Sequence, residues 1–296
     1  MTDDWFGDDN AVAERERRRQ EREDRRAGTV KRRWRAALFA LLAVLALGGA
    51  AAAIAYRHFH NPAPPPPVVS KTITVTIPEG YSREQTAQVA KEVGLTGSYM
   101  KASEGHEGFL FPDTFELERR APAADLVQLQ LQDFKRRIEG VDMSYARTKN
   151  LTTGDVVTIA SMVEREALLE KERPLIAAVI YNRLHEGMPL GIDATIRFAT
   201  GNYDQPLTES ELAVESPYNT RLHTGLPPGP IGNPGLASLE AAAHPAKVDY
   251  LYYVVKPGTC GEDSFSSTAA QFEEDVARYN EAREAAGGES PDTCGE

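Results

Sequence analysis

The longest uninterrupted apolar stretch of the chain runs from Ala36 to Tyr56 and carries no charge. As a helix rising about 1.5 Å per residue it reaches about 30 Å, the thickness of a hydrocarbon core. Lys31, Arg32, Arg33 and Arg35 precede it, and Trp34 and Tyr56 stand near its ends. This arrangement predicts one membrane-spanning helix, with residues 1–35 in the cytoplasm and everything after Arg57 outside. A cleaved signal peptide is the competing reading, with an Ala-x-Ala at Ala51–Ala53, but the run is long for such a segment.

Beyond the run the pattern changes. Asn61 to Pro67 is proline-rich and predicts a stiff, extended spacer. Thr72 to Ile77 alternates polar and apolar residues, as a strand does, and Pro78-Glu-Gly80 is its turn. Ser82 then caps a helix through about Val93, closed by Gly94. Glu107 to Glu116 is aromatic-dense and strand-like. Helical periodicity covers about Ala123 to Gly140, a segment from Thr152 or Thr153 to about Leu169 capped by Thr153 or Asp155, and Pro174 to His185. Gly187 to Gly235 reads mostly as loop. A short helix at Ser238–Ala243, a buried strand at Tyr250–Val255 and a last helix from Ser267 or Thr268 to about Glu284 complete the pattern. The fold class expected is α+β.

One position breaks the apolar pattern. In the helix after Thr153, Ile159, Met162, Val163 and Glu166 fall at i, i+3, i+4 and i+7, a core-facing stripe. Glu164 falls on the opposite, solvent side. A carboxyl group placed where an apolar side chain belongs is desolvated and holds its proton to higher pH, which is what a general acid needs. The plain alternative is a frayed helix end with Glu166 in solvent or paired with Arg165 or Arg173.

Charge narrows the partners. Residues 1–35 carry eleven Lys/Arg and nine Asp/Glu, whereas the remainder carries 22 and 35. A body that acidic lacks the basic face that nucleic acid requires, so no nucleic-acid partner is expected. Cys260 and Cys294 both lie in the exported part, where a disulfide between them is permitted. Two cysteines make no zinc site, and no metal or other cofactor is expected.

The long Pro/Gly-rich region is large for a structureless connection and predicts a binding surface. Its Asp193, Thr195, Tyr218, Asn219, Thr220 and Asn233, with Asn182 from the preceding helix, offer hydroxyls, amides and an aromatic face. That mixture suits a carbohydrate; for any single residue a structural turn is the plainer reading. Asp193 stands either as a second carboxylate for Glu166 or as a structural acid.

Several blocks together resemble a known family. They are Glu107-Gly-Phe-Leu-Phe-Pro-Asp-Thr-Phe, Ala160-Ser-Met-Val-Glu-Arg-Glu-Ala, Val179-Ile-Tyr-Asn-Arg-Leu and Gly187-Met-Pro-Leu, followed by Asp193-Ala-Thr, Ser216-Pro-Tyr-Asn-Thr, Gly225-Leu-Pro-Pro-Gly-Pro-Ile, Ala241-Ala-Ala-His-Pro-Ala and Tyr250-Leu-Tyr-Tyr-Val. In order and spacing, over roughly residues 70–280, they resemble the MltG/YceG-type endolytic murein transglycosylases. The resemblance implies a charged tail at 1–35, a transmembrane helix at 36–56, a Pro-rich linker at 57–70, a LysM-like subdomain and connecting strand at 71–120, a catalytic domain at 121–285 and a tail at 286–296. It implies cleavage inside peptidoglycan glycan strands between N-acetylmuramic acid and N-acetylglucosamine, leaving 1,6-anhydro ends, in company with membrane-bound peptidoglycan synthases and division proteins. The family's catalytic acid, second in Glu-x-Glu, falls on Glu166. Arg221, Asp263 and Phe272 stand where the family commonly has Tyr, His and His, so no histidine role carries over. A hydrolase on the same substrate and a non-catalytic cell-wall adaptor are the alternative readings.

Overall fold

The structure, a computed structural model, describes residues 17, 34, 37–57, 72–288, 290 and 291. Apart from Arg17 and Trp34, the charged tail lies outside the described residues, as do the Asn61–Pro67 spacer and Cys294. Cys260 is disulfide-bonded. The chain divides into two compact units, Met1–Val69 and Ser70–Glu296.

The first unit contains α1, Ala37–Arg57, 21 residues exposed along their whole length, with an 18-residue stretch of mean hydropathy 2.5. Among the described residues it is the one helix long and apolar enough to cross a membrane.

The second unit is α+β, as the periodicities predict. Its strands and helices are β1 (Thr72–Thr76), α2 (Arg83–Glu92), α3 (Tyr99–Ala102), β2 (Thr114–Glu118), α4 (Ala123–Ile138), α5 (Ser144–Thr148), α6 (Thr153–Glu166), α7 (Arg173–Glu186), α8 (Asp193–Thr200), α9 (Glu209–Leu212), α10 (Leu236–Ala243), β3 (Tyr252–Val255), β4 (Asp263–Ser266) and α11 (Ala269–Ala285). β1 and β2 form one antiparallel pair, with Val75 opposite Phe115, and β3 and β4 form another, with Tyr253 opposite Phe265.

Two cores result. Val75, Ile77, Leu110, Phe115, Leu126 and neighbours close the core of the β1–α4 segment. Val156, Ile159, Met162, Ile176, Ile180, Leu190 and Leu239 form the larger core around α6 and α7. Ser82 caps α2, as its sequence predicts, and its own N–H donates in return to Gln85 Oε1. α6 is capped by Thr152, with Asp155 completing the box, rather than by Thr153 or Asp155. It ends at Glu166 and not near Leu169, because Ala167 is already extended and a 3-10 turn at Glu170–Glu172 leads into α7.

The Pro/Gly-rich region is mostly loop, as expected, although within it α8 begins at Asp193, buries Ala194, Thr195 and Ile196, and stops at Gly201 with φ 74°. Flanking glycines mark its ends, and eight residues are too few for a clear period. Two other expectations are corrected. β3 is half-buried rather than buried, because it belongs to a two-stranded ribbon. The Glu107–Glu116 segment becomes strand only from Thr114, since Gly108 takes φ 85° where Pro230 packs against it.

The turn after β1 is stapled to the loop before α10. Gly80 N donates to Asn233 O at 2.8 Å, and Asn233 N donates to Tyr81 O at 3.0 Å. The backbones touch so closely that a Cβ on Gly232 would lie 2.4 Å from Gly80 O.

Candidate active site

α6 is buried on all sides over its middle: every residue from Val156 to Val163 is buried. A helix enclosed in this way has no solvent face. Glu164 therefore does not point outward as the wheel predicts. Its side chain is 6% exposed and forms an ion pair with Arg173, itself 12% exposed, at 3.2 Å. Its other oxygen accepts Gly235 N at 2.9 Å, ahead of α10, and Arg173 Nε donates to Ser238 Oγ at 3.1 Å. Both Glu164 oxygens are thus occupied, so it holds α6, α7 and α10 together instead of moving a proton.

Glu166, the last residue of α6, opens onto a cleft of about 420 Å³ lined by Glu79, Glu164, Arg165, Asp193, Ala194, Arg197 and Tyr203. Tyr253 on β3 donates its hydroxyl to Glu166 Oε2 at 2.8 Å. Burial pushes the Glu166 carboxyl above its ordinary range; the Tyr253 hydroxyl opposes this, the Asp193 charge adds to it, and Ala194 N–H and Arg183 oppose it more weakly. Desolvation wins, leaving an acid that keeps its proton to higher pH. A larger concavity, about 870 Å³, is lined by Asp113, Gln132, Lys135, Arg136 and others, but its buried acid, Asp133, is already matched by Arg136 and Arg137. The chemistry points to the smaller cleft.

The other residues singled out in the sequence fall into two groups. Asp193 opens α8 in the same cleft as Glu166; it pairs with Arg221 at 2.7 Å, both about half exposed. Tyr218 lies against the Phe198 ring, 4.9 Å between centroids. The remainder are committed to the protein. Asn182 Nδ2 donates to Val248 O and Tyr250 O, each at 2.9 Å. Thr195 and Thr220 share a buried hydroxyl contact of 3.0 Å, and Thr220 Oγ1 also accepts Ile192 N. Asn219 Nδ2 donates to Leu212 O and Val214 O. Asn233 accepts from Leu110 N and donates to Tyr81 O and to Glu107 Oε1. Buried loops need such amides to satisfy their backbone groups.

Asn182 and Arg183 nonetheless serve the site. Together with Arg183 Nε donating to Leu251 O at 2.6 Å, the Asn182 bonds fix the chain entering β3 and so place Tyr253. Asp263, on the strand opposite, is pushed up to about 7 by burial and by the charges of Glu172 and Glu166. Glu172 is 3% exposed; one oxygen accepts Asp263 N and the other has no partner among the described residues. Glu79 reaches the cleft from the turn after β1 and presses on Gly235, where a Cβ would lie 2.0 Å from its Oε1. Sequence reading missed Tyr253, Asp263, Glu79, Arg165, Arg197 and Tyr203. For Tyr253 a signal exists: a run of tyrosines in an apolar strand, each with a hydroxyl needing a partner.

The model of the YceG-like family matches residues 48–278. A Bacillus subtilis protein named endolytic murein transglycosylase is 36% identical over 174 residues, 58% of this chain and 48% of that protein. A Streptococcus pneumoniae protein of the same name is 30% identical over 246 residues, covering 70% and 44%. A YceG-like protein of Listeria monocytogenes, known from its crystal structure, superposes with a TM-score of 0.58 at 29% identity, over 68% of this chain and 75% of that one. The chain spans about half the length of the curated relatives it matches.

Proposed function

The chain belongs to the YceG-like family, and from that premise we propose that it is an endolytic peptidoglycan transglycosylase whose acid is Glu166. It cuts between N-acetylmuramic acid and N-acetylglucosamine within glycan strands and leaves 1,6-anhydro ends. The names of the relatives support the reaction class. The observation that carries the residue is Glu166 itself: a desolvated carboxyl in a cleft, oriented by one half-buried tyrosine.

In this reading protonated Glu166 donates to the glycosidic oxygen as the bond breaks. The carboxylate then takes the proton of the muramic C6 hydroxyl, which attacks C1 of its own sugar. The nucleophile is tethered, so the ring closes with an entropic advantage of several kcal/mol, and neither an enzyme nucleophile nor water enters. The Tyr253 hydroxyl stabilises the carboxylate between the two proton transfers. An ordinary glycosidase needs a second free carboxylate about 5 to 9.5 Å away. Asp193 is matched by Arg221, so it is not a free base.

The β1–α2–α3–β2 order supports a LysM-like subdomain at 71–120, and α1 supports a single-pass anchor with the catalytic unit outside the cell. The test is mass spectrometry of peptidoglycan treated with the full-length chain in detergent, beside Glu166→Gln. New 1,6-anhydro ends from the unaltered chain alone are the expected result. Reducing ends instead would make the protein a hydrolase. No cleavage by either chain would favour an adaptor.

A further inference from the structure

The cleft holds two arginines that the reaction just described does not use. The protein carries a net charge of −11, and four of the residues around the cleft, Glu79, Glu164, Glu166 and Asp193, are acids. Cations in such surroundings are expected to be taken by carboxylates. Two are: Arg173 by Glu164 and Arg221 by Asp193. Arg165 and Arg197 are not. Among the described residues neither forms an ion pair, although Arg197 lies one helical turn after Asp193 on α8.

Both are nevertheless held in place by neutral groups. The Arg165 guanidinium lies 5.3 Å above the Tyr203 ring, and Tyr203 is fixed in turn by a 3.1 Å bond from its hydroxyl to Ser82 Oγ. Arg197 Nη1 donates to Asn202 O at 3.2 Å and Gln205 O at 2.8 Å, leaving Nε and Nη2 without a partner among the described residues. These contacts orient the two planes without neutralising them. Pre-ordered guanidinium groups with free donors are matched to planar carboxylates, and ordering them beforehand removes part of the entropic cost of binding. Arg165 also directly precedes Glu166 in sequence, so an anion held there is registered against the acid.

We propose that Arg165 and Arg197 form a subsite that reads a carboxylate on the glycan beside the bond cut by Glu166. This rests on the peptidoglycan reading above. On such a strand the carboxylate has two sources: the lactyl group of a muramic residue that has lost its peptide, or the stem peptide where one is attached. The subsite sets which muramic residues are cut, not how the bond breaks.

Binding tests this without cleavage, in the full-length Glu166→Gln chain in detergent. The probes are glycan tetrasaccharides in four forms: peptide-free with free lactyl carboxylates, the same as lactyl methylamides, peptide-bearing, and peptide-bearing with all carboxylates amidated. Calorimetric affinities are compared after adding Arg165→Gln, Arg197→Gln or, as a control, the exposed Arg119→Gln. Removing the recognised carboxylate is expected to weaken binding about tenfold, and either cleft variant to weaken the charged probe equally, with little further loss on its neutral counterpart. Arg119→Gln is expected to change nothing. Loss confined to the peptide-free pair assigns the lactyl group, and loss confined to the peptide-bearing pair assigns the stem peptide. Equal affinity for charged and neutral probes overturns the subsite, as do cleft variants that weaken both alike, or no binding at all. Because affinity is read, failure to form anhydro ends in the wild-type assay would refute the enzyme while leaving a carboxylate-dependent affinity intact.

Discussion

Replacing Tyr253 with Phe isolates one interaction at the candidate acid. The hydroxyl donates to Glu166 Oε2 at 2.8 Å, so it favours the ionised carboxylate and holds the Glu166 pKa below where burial alone would put it. A hydrogen bond to a charged group contributes about 1.5–3 kcal/mol net. At about 1.4 kcal/mol per pH unit, its loss raises the Glu166 pKa by about 1–2 units. If protonated Glu166 is the acid, activity falls as pH rises through that pKa. The alkaline limb of kcat/KM for the Tyr253→Phe chain is therefore expected about 1–2 units higher than in the unaltered chain. Stability moves consistently. A carboxyl with a raised folded pKa contributes stability that is fully present below its unfolded pKa and is lost as pH rises through the folded one. The variant should match the unaltered chain in acid and fall behind it by about 1.5–3 kcal/mol on the alkaline side. The assay is the pH profile of 1,6-anhydro end formation, with urea midpoints at matched pH. A limb that stays in place, or moves toward acid, would refute Tyr253 as the group that tunes Glu166.

Three further outcomes follow from features away from the reacting bond. Glu107, pushed up to about 7 by burial despite bonds from Arg83 N and Asn233, makes the fold lose about 3 kcal/mol as pH rises from its ordinary value through about 7; urea titrations should show that decline, and Glu107→Gln should flatten most of it. Arg173→Met leaves Glu164 ionised and buried without its partner, and should reduce unfolding free energy by about 3–5 kcal/mol. Gly108→Ala puts a Cβ 2.4 Å from Pro230 Cγ at φ 85°, and overpacking plus left-handed strain should lower stability by about 2–5 kcal/mol in the same measurement.

What the sequence disclosed and what it hid have different physical origins. Local signals were legible: the apolar length of α1, the Ser82 cap of α2, and the periodicity of α6 and α7. The wheel marked Glu166 because burying a carboxylate on an apolar stripe is costly wherever it happens. It misplaced Glu164 because a wheel assumes one wet side, and α6 has none over its buried turns. The loop amides read as ligands because an amide in sequence shows only its donors and acceptors; that the Asn219 donors are spent on Leu212 O and Val214 O is a property of the folded loop. Tyr253 stayed hidden because its partner is 87 residues away. The Arg165–Tyr203 platform likewise depends on how α6 meets the chain beyond α8.

The backbone staple between Gly80–Tyr81 and Asn233 bears on how such chains can be recombined. Three hydrogen bonds join these segments across some 150 positions, and the turn that makes them also delivers Glu79 to the cleft. The β1–α2 piece is therefore not a cassette to be traded freely with a relative's. A chimera joined just after β2 would have to bring its own version of the 229–235 loop, or the graft would misfit at Gly232, where a Cβ would run into the Gly80 carbonyl. The two stretches should be inherited as one part, although nothing in their separation along the chain announces it.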